Sequence, residues 1–143
     1  YERPLKKEGV KDAQQIGAYL NSKKYNPNCV LYSSAKRTTE TAEIIYNILK
    51  DNSIDFINNK LLYESSVNEI LQILRPLNNN YSSILIVGHN PSITMLINQI
   101  SDAKIDHVPT SGTAVIDFNS DDWNNLSGNL IEFVCPKKLD FLK

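Results

Sequence analysis

Four consecutive apolar residues, Ile84-Leu85-Ile86-Val87, run directly into Gly88-His89-Asn90-Pro91. A strand with one wet face alternates apolar and polar residues; a strand apolar at every position has other layers packed on both faces, as in the parallel sheet of an α/β protein. The rest of the chain fits that demand. Val10, Ala13, Ile16, Gly17 and Leu20 recur at helical spacing and predict a helix over roughly Glu8 to Ser22. Asn26-Pro27-Asn28 interrupts it, and Cys29-Val30-Leu31-Tyr32 reads as a short strand ended by Ser33-Ser34. Ala35, Thr38, Thr39, Ala42, Ile45 and Leu49 mark a second helix, with Ser33 or Ser34 as its N-cap. A short strand is expected over Ile54 to Ile57, then a helix on Val67, Ile70, Leu71 and Leu74 that Pro76 stops. Beyond Asn78-Asn79-Asn80, a polar turn, comes the Ser83–Val87 strand. Pro91 opens a fourth helix carrying Ile93, Leu96, Ile97 and Ile100. Ala114 to Phe118 and Leu130 to Val134 read as two last strands. Alternating strands and helices imply a three-layer α/β/α sandwich with a mostly parallel sheet.

At 143 residues the chain fits one domain, and 41% hydrophobic with 22% charged residues is an ordinary globular composition. The formal net charge is −1 and no basic run exceeds two residues, which argues against nucleic acid or anionic membrane as partner. The tyrosines are too dispersed to form a stacking surface for single strands. Cys29 and Cys135 lie at the ends of apolar runs, far apart and without a C-x-x-C pair, so both read as reduced core cysteines and not as zinc or redox groups. A cytosolic monomer is the expectation.

Open α/β sheets bind ligands at the carboxyl ends of their strands, so two segments draw the chemistry. In Ser33-Ser34-Ala35-Lys36-Arg37-Thr38-Thr39-Glu40-Thr41 a strand feeds a helix whose first turn has free N–H groups, and Arg37 there could grip a phosphoryl group bidentately. Alone, the segment is as readily a capped helix with Arg37 in solvent. In Val87-Gly88-His89-Asn90-Pro91 the glycine permits a tight turn, and His89 projects at the strand tip. Alone, His89 is as readily a structural histidine bonded to backbone.

Taken together with Glu2-Arg3-Pro4-Leu5, Leu62-Tyr63-Glu64 and Pro109-Thr110-Ser111-Gly112, these blocks resemble, in order and separation, the histidine phosphatase superfamily and its small bacterial SixA-like phosphohistidine phosphatase branch. The resemblance spans nearly the whole chain. It implies a phosphoglycerate mutase-like fold in which two histidines and two arginines hold a phosphoryl group without metal or cofactor. One histidine, in an Arg-His-Gly or Arg-His-Ala motif at the end of the first strand, attacks phosphorus. Arg37 matches the second arginine and His89 the second histidine; Ser34 falls within the Arg37 block. Thr110, Ser111 and Gly112 match a loop lining the phosphate pocket, Arg3 a position beside the substrate, and Glu64, loosely, a proton-donating carboxylate.

Departures from the pattern carry equal weight. The sequence contains no Arg-His pair, and His107 cannot replace it, for it follows no apolar strand and has no neighbouring Arg. The chain opens at Tyr1 rather than Met, so we expect that the first strand and its nucleophile precede it. Lys6 stands where relatives often place a Thr as helix N-cap. Asp102, Asp106, Asp121 and Asp122 read as turn and cap residues, and Trp123 as a cover for the core edge. A receiver domain would need an acidic cluster at strand ends, and a dinucleotide site a Gly-rich turn; neither occurs. The function expected is removal of phosphate from a phosphorylated histidine-containing signalling protein. The alternatives are a phosphatase or mutase acting on a phosphorylated small molecule, or an inactive module that binds phosphorylated partners.

Overall fold

A computed structural model of the chain describes residues 1–77, 81–118 and 126–139, side chains 138 and 139 apart. The Asn78–Asn80 turn and the residues Asp121, Asp122 and Trp123 lie outside the described residues. Helix α1 (Lys7–Ser22) leads to strand β1 (Cys29–Tyr32), helix α2 (Lys36–Leu49) and strand β2 (Asp55–Asn58). A 3₁₀ turn (Lys60–Leu62), α3 (Val67–Leu74), β3 (Ile84–Val87) and α4 (Ser92–Ile100) follow. Strands β4 (Thr113–Phe118) and β5 (Gly128–Val134) and a one-turn helix α5 (Pro136–Leu139) end the described chain.

Strands β2, β1 and β3 form a parallel sheet in that order, with Cys29 opposite both Asp55 and Ile84 and Tyr32 opposite both Asn58 and Val87. The layers fall as the apolar pattern requires. Val30 and Tyr32 of β1 pack with Ile16, Leu20, Ala42, Ile45 and Leu49 of α1 and α2. Cys29 and Leu31 turn the other way, against Val67, Ile70, Leu71 and Leu74 of α3 and Leu96 and Ile100 of α4. Successive strand residues point to opposite faces, so a strand with helices on both sides must be apolar throughout. Strand β3 obeys the same rule: Leu85 and Val87 join the first layer, Ile84 and Ile86 the second. Cys29 is fully buried, and that burial pushes its thiol up to about 11, which suits an inert core cysteine.

Three expectations need adjustment. First, β3 has covered faces yet remains half-buried, whereas all four residues of β1 are buried. The reason is its edge: among the described residues β3 pairs only with β1, and β4 and β5 form a separate antiparallel pair. A cleft of about 1000 Å³ lies between, lined by Ile84 to Val87 on one side and by Thr113, Ala114, Ile116, Asp117 and Phe118 on the other. Second, neither Ser33 nor Ser34 caps α2; the cap position is Ala35, without a side-chain bond, because both hydroxyls are engaged elsewhere. Third, the second strand starts at Asp55, one residue later than expected, and Ile54 is buried in the first layer instead.

Local chemistry explains the other boundaries. Ser66 and Glu69 form a reciprocal capping box that starts α3. Lys6 at the start of α1 makes no side-chain cap, as expected of a lysine there. Asp102 sits at a bend, and its side chain ties that bend to β5, Oδ1 accepting from the Leu130 N–H at 2.8 Å. The carboxylate of Glu132 on β5 accepts from the phenols of Tyr19 and Tyr25, binding the α1 region to the antiparallel pair. No helix among the described residues is long and apolar enough to cross a membrane.

Leu31 is 1% exposed at the centre of the second layer. Leu31→Ala should therefore lower unfolding free energy by about 2–5 kcal/mol, read from chemical denaturation.

Candidate active site

The parallel register delivers the site. Tyr32 is opposite Val87, so β1 and β3 end level and the chain leaves both at the same height. The Ser33 N–H extends the ladder one step, donating to the Val87 carbonyl at 3.0 Å. Ser33 and His89 therefore emerge side by side, and Ser33 Oγ lies 2.7 Å from His89 Nε2. Ser33 is fully buried. Its own carbonyl accepts from Thr38 Oγ1 at 2.8 Å and from Thr39 Oγ1 at 3.4 Å, which ties the first turn of α2 to the strand tip.

Arg37 stands exposed in that first turn, and both Arg37 and His89 line the cleft. Their proximity is felt electrostatically. Burial, first, and then the Arg37 guanidinium hold the His89 imidazole below its ordinary range, with Glu64 opposing. Helix geometry thus turns the Arg37 charge toward the ring 52 positions later in the chain.

Thr110, Ser111 and Gly112 line the same cleft from its far side. The Gly112 N–H closes a turn on the Pro109 carbonyl at 2.8 Å, with Ser111 at φ 58°. A Cβ on Gly112 would come within 2.9 Å of both the Pro109 ring and its carbonyl oxygen, so the turn needs glycine there. The loop is pinned to the start of α4: Asn90 Nδ2 donates to the Val108 carbonyl at 2.6 Å, and Thr94 Oγ1 accepts from the Val108 N–H at 3.1 Å while donating to Asn90 Oδ1. His107 also lines the cleft.

Three other expected residues sit differently. Glu64 is exposed, in left-handed backbone at φ 55°, and its charge reaches His89. Ser34 does not line the cleft; its hydroxyl meets the Tyr1 phenol at 2.5 Å. Arg3 is exposed and likewise lies off the cleft lining. Sequence reasoning missed two contacts of His89. The sequence pattern marks Ser33 as a strand end and helix cap and Tyr63 as part of a block, and neither as a neighbour of His89. The Tyr63 ring meets His89 edge-on at 5.2 Å, and Tyr1 meets Tyr63 at 4.8 Å. Ser33 was legible in principle: it ends one strand as His89 follows the end of another.

An arginine, an imidazole and a glycine turn around one cleft, at the carboxyl ends of parallel strands, have the chemistry that suits an anion. The architecture is that of the phosphoglycerate mutase-like α/β proteins. Within it, the fold is that of the SixA-like histidine phosphatases. A protein from Agrobacterium tumefaciens named as a candidate phosphohistidine phosphatase SixA is 26% identical, with a TM-score of 0.77 over 94% of this chain and 84% of that one. Its counterpart from Nakamurella multipartitia, named in the same way, is 25% identical with a TM-score of 0.79, covering 94% of this chain and 86% of the other. A protein histidine phosphatase SixA complexed with tungstate superposes with a TM-score of 0.82 at 22% identity, over 96% of this chain and 87% of its own, a likeness of fold. No family model matches the chain, and no curated protein does.

Because its neutral form is favoured, His89 should titrate in an NMR pH series with a midpoint below 6.5, the ordinary value. The sign for stability follows. The unfolded chain takes up the His89 proton first as pH falls, so this contribution is full above about 6.5 and is lost on acidification toward the folded midpoint. His89→Gln should flatten that part of the stability curve.

Proposed function

We propose that this chain forms most of a phosphatase that removes phosphate from a protein-borne phosphohistidine through a covalent phosphohistidine intermediate. The observation that carries the reading is that Arg37 and His89 line one cleft together with the Thr110–Gly112 turn. The likeness to SixA proteins supports it.

The attacking imidazole comes, in this reading, from a strand that precedes Tyr1 and bears an Arg-His pair. The cleft between β3 and β4 supports this: β3 offers an edge unpaired among the described residues, and an added strand there would complete the backbone hydrogen bonds. The tip of such a strand would lie beside Ser33 and His89. An imidazole nitrogen then forms a bond to phosphorus as the substrate nitrogen leaves with its electron pair. Water later cleaves the new N–P bond and releases inorganic phosphate. Phosphoryl transfer needs mainly positioning and neutralisation of the equatorial oxygens. Arg37 supplies a cation and a bidentate fork, and His89 an N–H donor. Arg3 and Ser34 lie off the cleft lining, and in this reading they meet the substrate protein outside it. Among the described residues no inserted segment closes the site, and an open mouth suits a phosphate carried on a protein better than a small metabolite.

In this reading Glu64, whose charge reaches His89, hands a proton to the leaving group. A phosphohistidine leaves readily, so that help is most needed with poorer leaving groups. Glu64→Gln should slow hydrolysis of alkyl phosphates more than that of a phosphorylated phosphotransfer domain, measured side by side.

The test of the main reading is turnover by the full-length protein on a phosphohistidine protein, compared with sugar phosphates. Arg37→Ala and His89→Ala should each cost on the order of 10²-fold or more in kcat. Near-normal rates in either variant, or no turnover of any phosphohistidine protein or aryl phosphate by the wild type, would defeat it.

A further inference from the structure

We propose that Ser33 is a positioning residue that sets the tautomer of His89, so that the ring keeps a proton on Nδ1 for the anion in the cleft. The effect on rate rests on the phosphatase reading; the tautomer itself does not. Ser33 is fully buried, and its backbone is fixed at both ends, by the N–H bond to Val87 and by the Thr38 and Thr39 hydroxyls on its carbonyl. Its hydroxyl therefore sits at a defined point, 2.7 Å from His89 Nε2, and Oγ has no other partner among the described residues. Hydroxyls donate and accept, and this one is free to rotate between the two roles. Tyr63, edge-on at 5.2 Å, walls the ring on another side.

The groups facing His89 make the choice matter. From α2 comes the Arg37 cation, and from the loop before α3 the Glu64 carboxylate and the Tyr63 ring. Burial and the Arg37 cation outweigh Glu64 and favour a neutral imidazole. A neutral imidazole has one N–H. Were that proton on Nε2, pointing at Ser33, the other nitrogen would turn a lone pair on the phosphoryl oxygens. With Ser33 donating to Nε2, the single proton is held on Nδ1, the nitrogen without a protein partner among the described residues. Should the dianion draw a second proton onto the ring, Ser33 accepts from Nε2–H instead, and Nδ1 remains a donor. One hydroxyl thus serves both protonation states.

The experiment uses full-length protein labelled with ¹⁵N-histidine. Long-range ¹H–¹⁵N spectra are recorded above the His89 midpoint with inorganic phosphate, and signals are assigned with His107→Gln. The wild type should show the proton on Nδ1. Ser33→Ala should shift His89 toward the Nε2-protonated form and lower kcat on the order of 10- to 100-fold with KM little changed. Ser33→Thr, which keeps the hydroxyl, should restore both. A His89 protonated on Nε2 alone, with Nδ1 bare, in phosphate-bound wild type overturns the proposal, even if Ser33→Ala does not fold. An unchanged tautomer in Ser33→Ala overturns it as well. A wild type without turnover but with the Nδ1 signature sinks the phosphatase reading and leaves this one standing.

Discussion

The parallel hydrogen-bond ladder between β1 and β3 is the interaction on which the rest depends. Its register brings Tyr32 level with Val87, and the Ser33 N–H adds one more bond to it. Side chains alternate between faces along a strand, so a slip of one residue would exchange the helix layers and turn every apolar group the wrong way. The same slip would part Ser33 from His89. Burial in the core and the meeting of Ser33 with His89 are thus one constraint, enforced by the same four residue pairs.

Around that ladder, helices do two jobs. Helices α1 and α2 cover one face and α3 and α4 the other, which makes apolar residues obligatory at every position of β1 and β3. Helix α2 also carries Arg37 at its first turn, tied to the strand tip by the Thr38 and Thr39 hydroxyls. Helix α4 begins just beyond His89, and its Thr94, with Asn90, holds the loop that ends in the Gly112 turn. Each functional group is therefore anchored to an element whose position the core already determines, and little is left to loop flexibility.

The edge of β3 is where architecture and chemistry meet. A parallel strand with one unpaired edge leaves backbone donors and acceptors facing the cleft. That edge, the Thr113–Phe118 strand across from it and the side chains of Arg37 and His89 all border one space. A segment that satisfied the backbone would at the same stroke deliver its tip to His89 and Arg37. Ser33 and Tyr63, meanwhile, hold the imidazole from within, so the ring is set before any ligand arrives.

Periodicity alone determined the layered α/β class, because only a sheet covered on both faces asks for Ile84-Leu85-Ile86-Val87 without a polar residue, and only helices repeat as Val10 to Leu20 and Ile93 to Ile100 do. The ordered blocks marked Arg37, His89 and the Thr110–Gly112 turn as candidates, since their residue types suit an anion wherever they are placed. Folding decided what each hydroxyl does. Ser33 and Ser34 both looked like helix caps, a short-range role; pairing of β1 with β3 turned one to His89, and the Tyr1 phenol engaged the other. Those partners lie 56 and 33 residues away in the chain, a separation that local sequence pattern does not encode and that only the register of a sheet can close.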